Sequence, residues 1–185
     1  MELKQLDVET MEVSGDAAKA ILSGFPDYLS DIAKTFLLMN DMQEPESGTW
    51  VSLPKVVNVL NSISNKFGDA TLYEIGKATP TNAILVGNIK DLKMALEKIC
   101  EGFTINHKNT KVCSVEILEY SYPARKALVQ ITNPYPFEMN RGIIAGLARK
   151  YEPANAKKIP EVTYEENSCI RISEFENQCK IKLTW

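Results

Sequence analysis

The apolar residues of this 185-residue chain change period near residue 110, with one later helical stretch at 141–151, and that change limits the fold more than any motif does. Before it, apolar side chains recur three and four residues apart, the spacing that lines one face of an α-helix. After it they alternate, the spacing of strands with one buried face. A chain that runs through helices and then strands packs as an α+β domain. Here N-terminal helices lie on a C-terminal antiparallel sheet of four to five strands.

The helical part begins after an extended segment over residues 3–13. "DAAKAILSGF" predicts a short helix with Ser14 or Asp16 as its cap. A longer one is predicted from Pro26 to Met39. "VSLPKVVNVLNSISNKFG" carries the clearest signals, with Ser52 as cap, Pro54 in the first turn and Gly68 as stop. "ATLYEIGKA" follows and is expected to stop near Pro80, and a further helix is predicted over 91–103. In the second part, "VCSVEILEY" and "KALVQITN" read as strands joined by "SYPAR". "NPYPFEMN" is a stiff connection, because each proline fixes its own φ and restricts the residue before it. A helix is predicted over 141–151, then strands at "EVTY", "CIRIS" and "CKIKLTW".

Charge and composition narrow the function classes. With 21 basic and 24 acidic residues the formal net charge is −3, so no broad field for nucleic acid exists. No apolar run reaches the roughly 18 residues of a membrane span, and the first residues lack a signal-peptide pattern. A cytoplasmic protein with reduced thiols is expected. No hydrolase triad, H-E-x-x-H pair or Gly-rich phosphate loop is present, so no catalytic residue is assigned.

The four cysteines form no C-x-x-C pair. Matching the apolar faces of the last two strands sets Ile172 opposite Cys179 and Ile170 opposite Ile181, with "EFEN" as a four-residue loop. That register points Cys179 inward and Cys169 away from it. The other register, which sets Cys169 against Cys179, exposes both isoleucines. Parity therefore favours two structural thiols over a disulfide or a metal pair. The lone histidine, His107, falls just after a helix, as a C-terminal cap or as a ligand-anchoring side chain. Tyr135 and Phe137 stand in the stiff turn. Arg141 enters the next helix beside Gly142 and Gly146, which admit a close neighbour, and can pair with Glu138 or with a ligand carboxylate.

"GTWVSLPKVVNVLNSISNKFGDATLYEIGK", "NHKN", "NPYPFEMNRGIIAGLARKY" and a cysteine pair running into "CKIKLTW" occur in that order. In this the chain resembles the 4-vinyl reductase domain, also described as a predicted hydrocarbon-binding domain. The likeness covers residues 46–185. Residues 1–45 add an N-terminal extension and helices to what is expected to be a single ligand-binding domain. That family is similar in fold to the haem nitric-oxide/oxygen-binding domains and to TRAPP vesicle-tethering subunits.

The resemblance implies a non-catalytic sensory or carrier module for a small apolar or amphipathic ligand, held between helices and sheet. The implied lining is Phe103, Tyr135, Phe137, Ile143 and Leu147, with Leu72, Ile75 and Ile105, and with His107 and Arg141 as polar anchors. It implies two alternatives: a haem-based gas sensor with His107 as axial ligand, and a homodimeric assembly module. Zinc-binding relatives place their cysteines where Cys169 and Cys179 stand, although "IRISEFENQ" replaces their glycine-rich spacer. The haem relatives' Tyr-x-Ser-x-Arg motif has no match in "YPFEMNR".

Overall fold

A computed structural model describes residues 8–25, 30–82, 87–110 and 112–185. After a 3-10 turn at Val8–Thr10 come β1 (Glu12–Ser14), α1 (Gly15–Leu22), α2 (Ser30–Met39), β2 (Trp50–Ser52), α3 (Leu53–Phe67) and α4 (Asp69–Asn82). Then follow α5 (Leu92–Glu97), α6 (Ile99–Asn106), β3 (His107–Lys108), β4 (Ser114–Ser121), β5 (Lys126–Asn133), α7 (Phe137–Lys150), β6 (Glu161–Tyr164), β7 (Ile170–Ser173) and β8 (Glu176–Thr184). The architecture is the α+β fold expected: helices on a C-terminal antiparallel sheet of five strands. A second small sheet, ordered β2-β1-β3, stands where the sequence pattern gave only an extended entry and a loop.

Local chemistry explains several boundaries. Ser14 Oγ accepts from the Ala17 N–H and starts α1; Ser52 Oγ accepts from the Lys55 N–H and starts α3. Gly68, at φ 84°, ends α3 in a conformation that disfavours a Cβ. The expected start of the second helix at Pro26 lies outside the described residues.

Three expected boundaries move. The helix predicted over 91–103 breaks at Lys98. Its two halves face different cores, with Leu92, Ala95 and Leu96 toward the sheet and Phe103 toward the N-terminal helices. α4 continues through Pro80, whose ring lies against Gly146 of α7 and whose carbonyl accepts from Lys150 Nζ at 2.6 Å. α7 begins at Phe137, four residues before the predicted Arg141, because Pro136 at ψ 149° releases the chain straight into a helix.

The large sheet runs β4-β5-β8-β6, with β7 also pairing with β8. Its inner face presents Ala127, Val129 and Ile131, then Cys179, Ile181 and Leu183, to α5 and α7. The closing hairpin takes the register that the apolar-face match rejects. Ile170 pairs with Gln178 and Arg171 with Asn177, a bulge follows, and Ser173 pairs with Glu176. Ile170 and Ile172 are each 52% exposed as a result. Two buried side chains outweigh them. The two-residue turn lets Phe175 reach the N-terminal core at 6% exposure, and Asn177 Nδ2 donates to the carbonyls of Pro134 and Tyr135.

The helical layer is held by the crossing of α4 and α7. A Cβ at Gly76 would strike the Met139 carbonyl, one at Gly142 the Tyr73 carbonyl, and one at Gly146 the Lys77 carbonyl. The three glycines therefore admit a neighbouring backbone, not a ligand. Gly142→Ala is expected to lower unfolding free energy by about 2–3 kcal/mol, because rigid backbone must shift to admit the methyl. Urea denaturation followed by far-ultraviolet circular dichroism measures it. Gly102→Ala is the control, expected to cost nothing or to stabilise slightly, because an added Cβ there meets no atom within 4 Å and alanine is the better helix former.

Candidate functional site

α6 ends at Asn106, and His107 leaves it in extended conformation to pair with Val13 of β1. That kink turns the imidazole back over its own helix. Nδ1 lies 2.8 Å from the Phe103 carbonyl and Nε2 lies 2.7 Å from the Tyr135 hydroxyl. The Phe103 ring stacks on the imidazole at 3.6 Å with a 4° interplanar angle. A carbonyl only accepts, so Nδ1 carries the proton of the neutral ring, and Nε2 accepts from the tyrosine hydroxyl.

Burial holds the imidazole pKa down to about 4, against a smaller opposing effect from the Phe103 carbonyl. His107 is thus neutral at physiological pH. Burial also raises the Tyr135 phenol well above its usual range, with a further contribution from nearby Cys113.

Three buried asparagines fix Tyr135 in place. Its backbone N–H donates to Asn133 Oδ1 at 2.9 Å, and its carbonyl accepts from Asn140 Nδ2 and Asn177 Nδ2. Asn133 and Asn140 also bond to each other side chain to side chain, at 2.7 and 2.9 Å. Sequence reasoning passes over these three residues. The Asn133–Pro134 dipeptide signals a turn, but nothing local says that the asparagines are buried.

His107 and Tyr135 stand on the wall of a cavity of about 110 Å³. Ile21 of α1, Pro80 of α4, Phe103 and Asn106 of α6, and Met139, Ile143 and Leu147 of α7 complete most of its lining. Five of the seven residues expected to bind ligand meet here: Phe103, His107, Tyr135, Ile143 and Leu147. The cavity lies among helices and the β5–α7 turn, not between helices and sheet. Leu72 and Ile75 are packed core, and Ile105 is 57% exposed.

Phe137 and Arg141 lie elsewhere. Arg141 donates to Glu138 Oε2 through Nε and Nη2 at 2.9 and 2.6 Å, reaches the Val162 carbonyl, and lies 4.1 Å over the Tyr73 ring. Phe137 borders a wider, polar cleft of about 540 Å³, together with Glu138, Tyr164, Cys169, Arg171 and Asn177. The observed hairpin register turns Cys169 toward Cys179, and burial raises both thiol pKa values. Among the described residues no group of three or more His, Cys, Asp or Glu side chains could hold a metal ion, so two thiols do not make up a zinc ligand set.

No family model matches this chain, and no curated protein matches it in sequence. Solved structures match its fold. A double variant of the Tt H-NOX domain superposes with a TM-score of 0.64 at 13% identity, covering 93% of this chain and 94% of that one. An oxygen-binding H-NOX domain related to soluble guanylate cyclases gives 0.60 at 11%, covering 92% and 94%. A single variant of the T. tengcongensis H-NOX gives 0.60 at 13%, covering 92% and 96%. The fold is that of the haem nitric-oxide/oxygen-binding domains.

The cavity in its present form does not fit a porphyrin. Its volume is well below the roughly 300–1,000 Å³ of sites that enclose cofactor-sized molecules. Nε2 of His107 already has the Tyr135 hydroxyl, one face of the imidazole is covered by Phe103, and Arg141 is bound to Glu138.

The depressed histidine pKa predicts an acid-sensitive fold. Below pH 6.5 an unfolded histidine takes up a proton that folded His107 refuses until about pH 4. Stability present above 6.5 is therefore lost as pH falls through that window, by up to about 3 kcal/mol. Urea midpoints of wild type and His107→Gln at pH 7 and pH 4 should differ in their pH slopes by this contribution, the variant being the less sensitive. Tyr135→Phe removes one buried hydrogen bond, with an expected loss of about 1–2 kcal/mol at pH 7.

Proposed function

We propose that this chain is a sensory domain built on the haem nitric-oxide/oxygen-binding fold, and that it reads a small amphipathic molecule at the His107–Tyr135 cavity. The observation that carries the reading is the neutral imidazole bonded to a buried tyrosine hydroxyl on an otherwise apolar wall. Such a pair offers one polar handle inside a nonpolar space. An incoming hydroxyl or N–H can replace the tyrosine at Nε2, or an acceptor can accept the tyrosine's hydrogen bond. Exchange of one hydrogen bond for another there moves Tyr135, and Tyr135 is tied through asparagines to β5, α7 and β8. The ligand occupies a site from which its presence reaches the sheet.

Size limits the ligand. A cavity of about 150 Å³ holds benzene, and this one is somewhat smaller. It borders half-buried Ala17, Gly102 and Asn106, so a ligand can extend outward past them. No helix among the described residues is long and apolar enough to cross a membrane.

A second reading keeps haem, with His107 as axial ligand. The likeness to H-NOX domains favours it, as does the neutral state of the imidazole. It requires the Tyr135 hydroxyl to leave Nε2 and the cavity to widen.

Absorbance and calorimetry separate the two. The expected result is no His107-dependent Soret band after incubation with haemin, and phenol, donating to Nε2 while accepting from the Tyr135 hydroxyl, bound more tightly than benzene by about fivefold, the value of one net hydrogen bond. His107→Phe should abolish that preference. A five-coordinate haem spectrum lost in His107→Ala would instead establish the second reading, and indifference between phenol and benzene would overturn the first.

A further inference from the structure

The wall of the cavity is bracketed by two thiols. Cys100, in the first turn of α6, and Cys113, just before β4, lie with their sulfurs 3.2 Å apart. Both are free and half-buried. The 12 residues between them in sequence include Gly102, Phe103, Asn106 and His107, which line the cavity. A disulfide needs sulfurs about 2.05 Å apart, roughly 1 Å closer than these two stand.

We propose that Cys100 and Cys113 are a thiol–disulfide pair whose oxidation locks the His107 wall of the cavity. The exchange partner is a low-molecular-weight disulfide. The Cys100 thiol gives its proton to solvent, and the thiolate attacks one sulfur of that disulfide. A mixed disulfide forms, and the first small thiolate leaves and is protonated. Cys113 then loses its proton and attacks Cys100 Sγ, forming the Cys100–Cys113 bond and releasing the second small thiolate. Two protein thiols lose two electrons in all, and one small disulfide becomes two thiols. The roles follow from the pair itself: the hydrogen bond from Cys113 lowers the Cys100 pKa to about 7, and Cys113, the donor, is raised.

Formation of the bond stands on the sulfur geometry alone; its effect on the ligand rests on the function proposed above. The bond closes a loop over α6 and β3. Phe103 and His107 then lose the freedom to swing outward that admits a ligand.

Each cysteine falls on a different tryptic peptide: 99–108, 112–125, 159–171 and 172–180. The full chain is titrated with oxidised glutathione and mapped by mass spectrometry without reduction. The expected product joins peptide 99–108 to 112–125, is reversed by dithiothreitol, and is absent from Cys113→Ser. Amide exchange over residues 101–108 should slow by about tenfold or more on oxidation in wild type and not in Cys113→Ser. Phenol affinity should fall several-fold in parallel. Cys100 left free, joined only to glutathione, or joined to Cys169 or Cys179 overturns the pair. A Cys100–Cys113 bond with unchanged exchange overturns the lock. Failure of phenol to bind in either redox state, with the exchange change intact, counts against the proposed ligand site and leaves the redox pair standing.

Discussion

The crossing of α4 and α7 is the contact on which the other elements depend. At three successive turns a glycine lets one helix backbone touch the other, at Gly76, Gly142 and Gly146. Contact this close leaves no room for side chains to adjust, so the angle and register of the pair are set by backbone alone. α7 carries one face to the sheet, through Ile144, Leu147 and Ala148, and Met139 to the N-terminal helices. The two cores therefore meet along one helix, and Ile143 packs against both. A shift of α7 would displace Ile143 and Leu147 in the cavity wall and the Asn140 side chain that holds Tyr135.

From that frame the site is assembled by polar groups with little freedom. Asn133, Asn140 and Asn177 come from β5, α7 and β8 and converge on the Pro134–Tyr135 backbone. Their buried amide groups would be costly to leave unpaired, which makes these bonds a mutually dependent support. Tyr135 projects from it to meet His107. The same Asn177 anchors the closing hairpin, so the register of β7 and β8 and the position of the site are consequences of one set of hydrogen bonds.

Resemblance and geometry contribute different things to the functional reading. The superposition on H-NOX domains spans nearly the whole chain at 11–13% identity and establishes a shared fold. The residues within that fold are this chain's own. A histidine is present, but its Nε2 meets a tyrosine hydroxyl, and Arg141, away from that cavity, is bound to a carboxylate one helical turn away. The 4-vinyl reductase likeness read from the sequence order finds no matching family model, whereas its structural corollary, the haem-domain fold, is found.

Much of this was legible in the residues themselves. The period change near residue 110 determines helices before strands. Ser14, Ser52 and Gly68 determine where helices start and stop, because a cap is a bond between neighbours in sequence. The gathering of Phe103, His107, Tyr135, Ile143 and Leu147 followed from a resemblance rather than from spacing. What tertiary structure alone decided lies in contacts between distant segments. Local parity matched Ile170 and Ile172 to the core, but Phe175 and Asn177 have partners more than 40 residues away, in the Pro134–Tyr135 turn and the N-terminal core, and these set the register. The same holds for His107. Its sequence shows a histidine after a helix; only the approach of Tyr135, 28 residues on, turns it into a neutral, half-buried acceptor on the wall of a cavity. Short-range capping and periodicity are written in consecutive residues, and burial is a property of the whole packed chain.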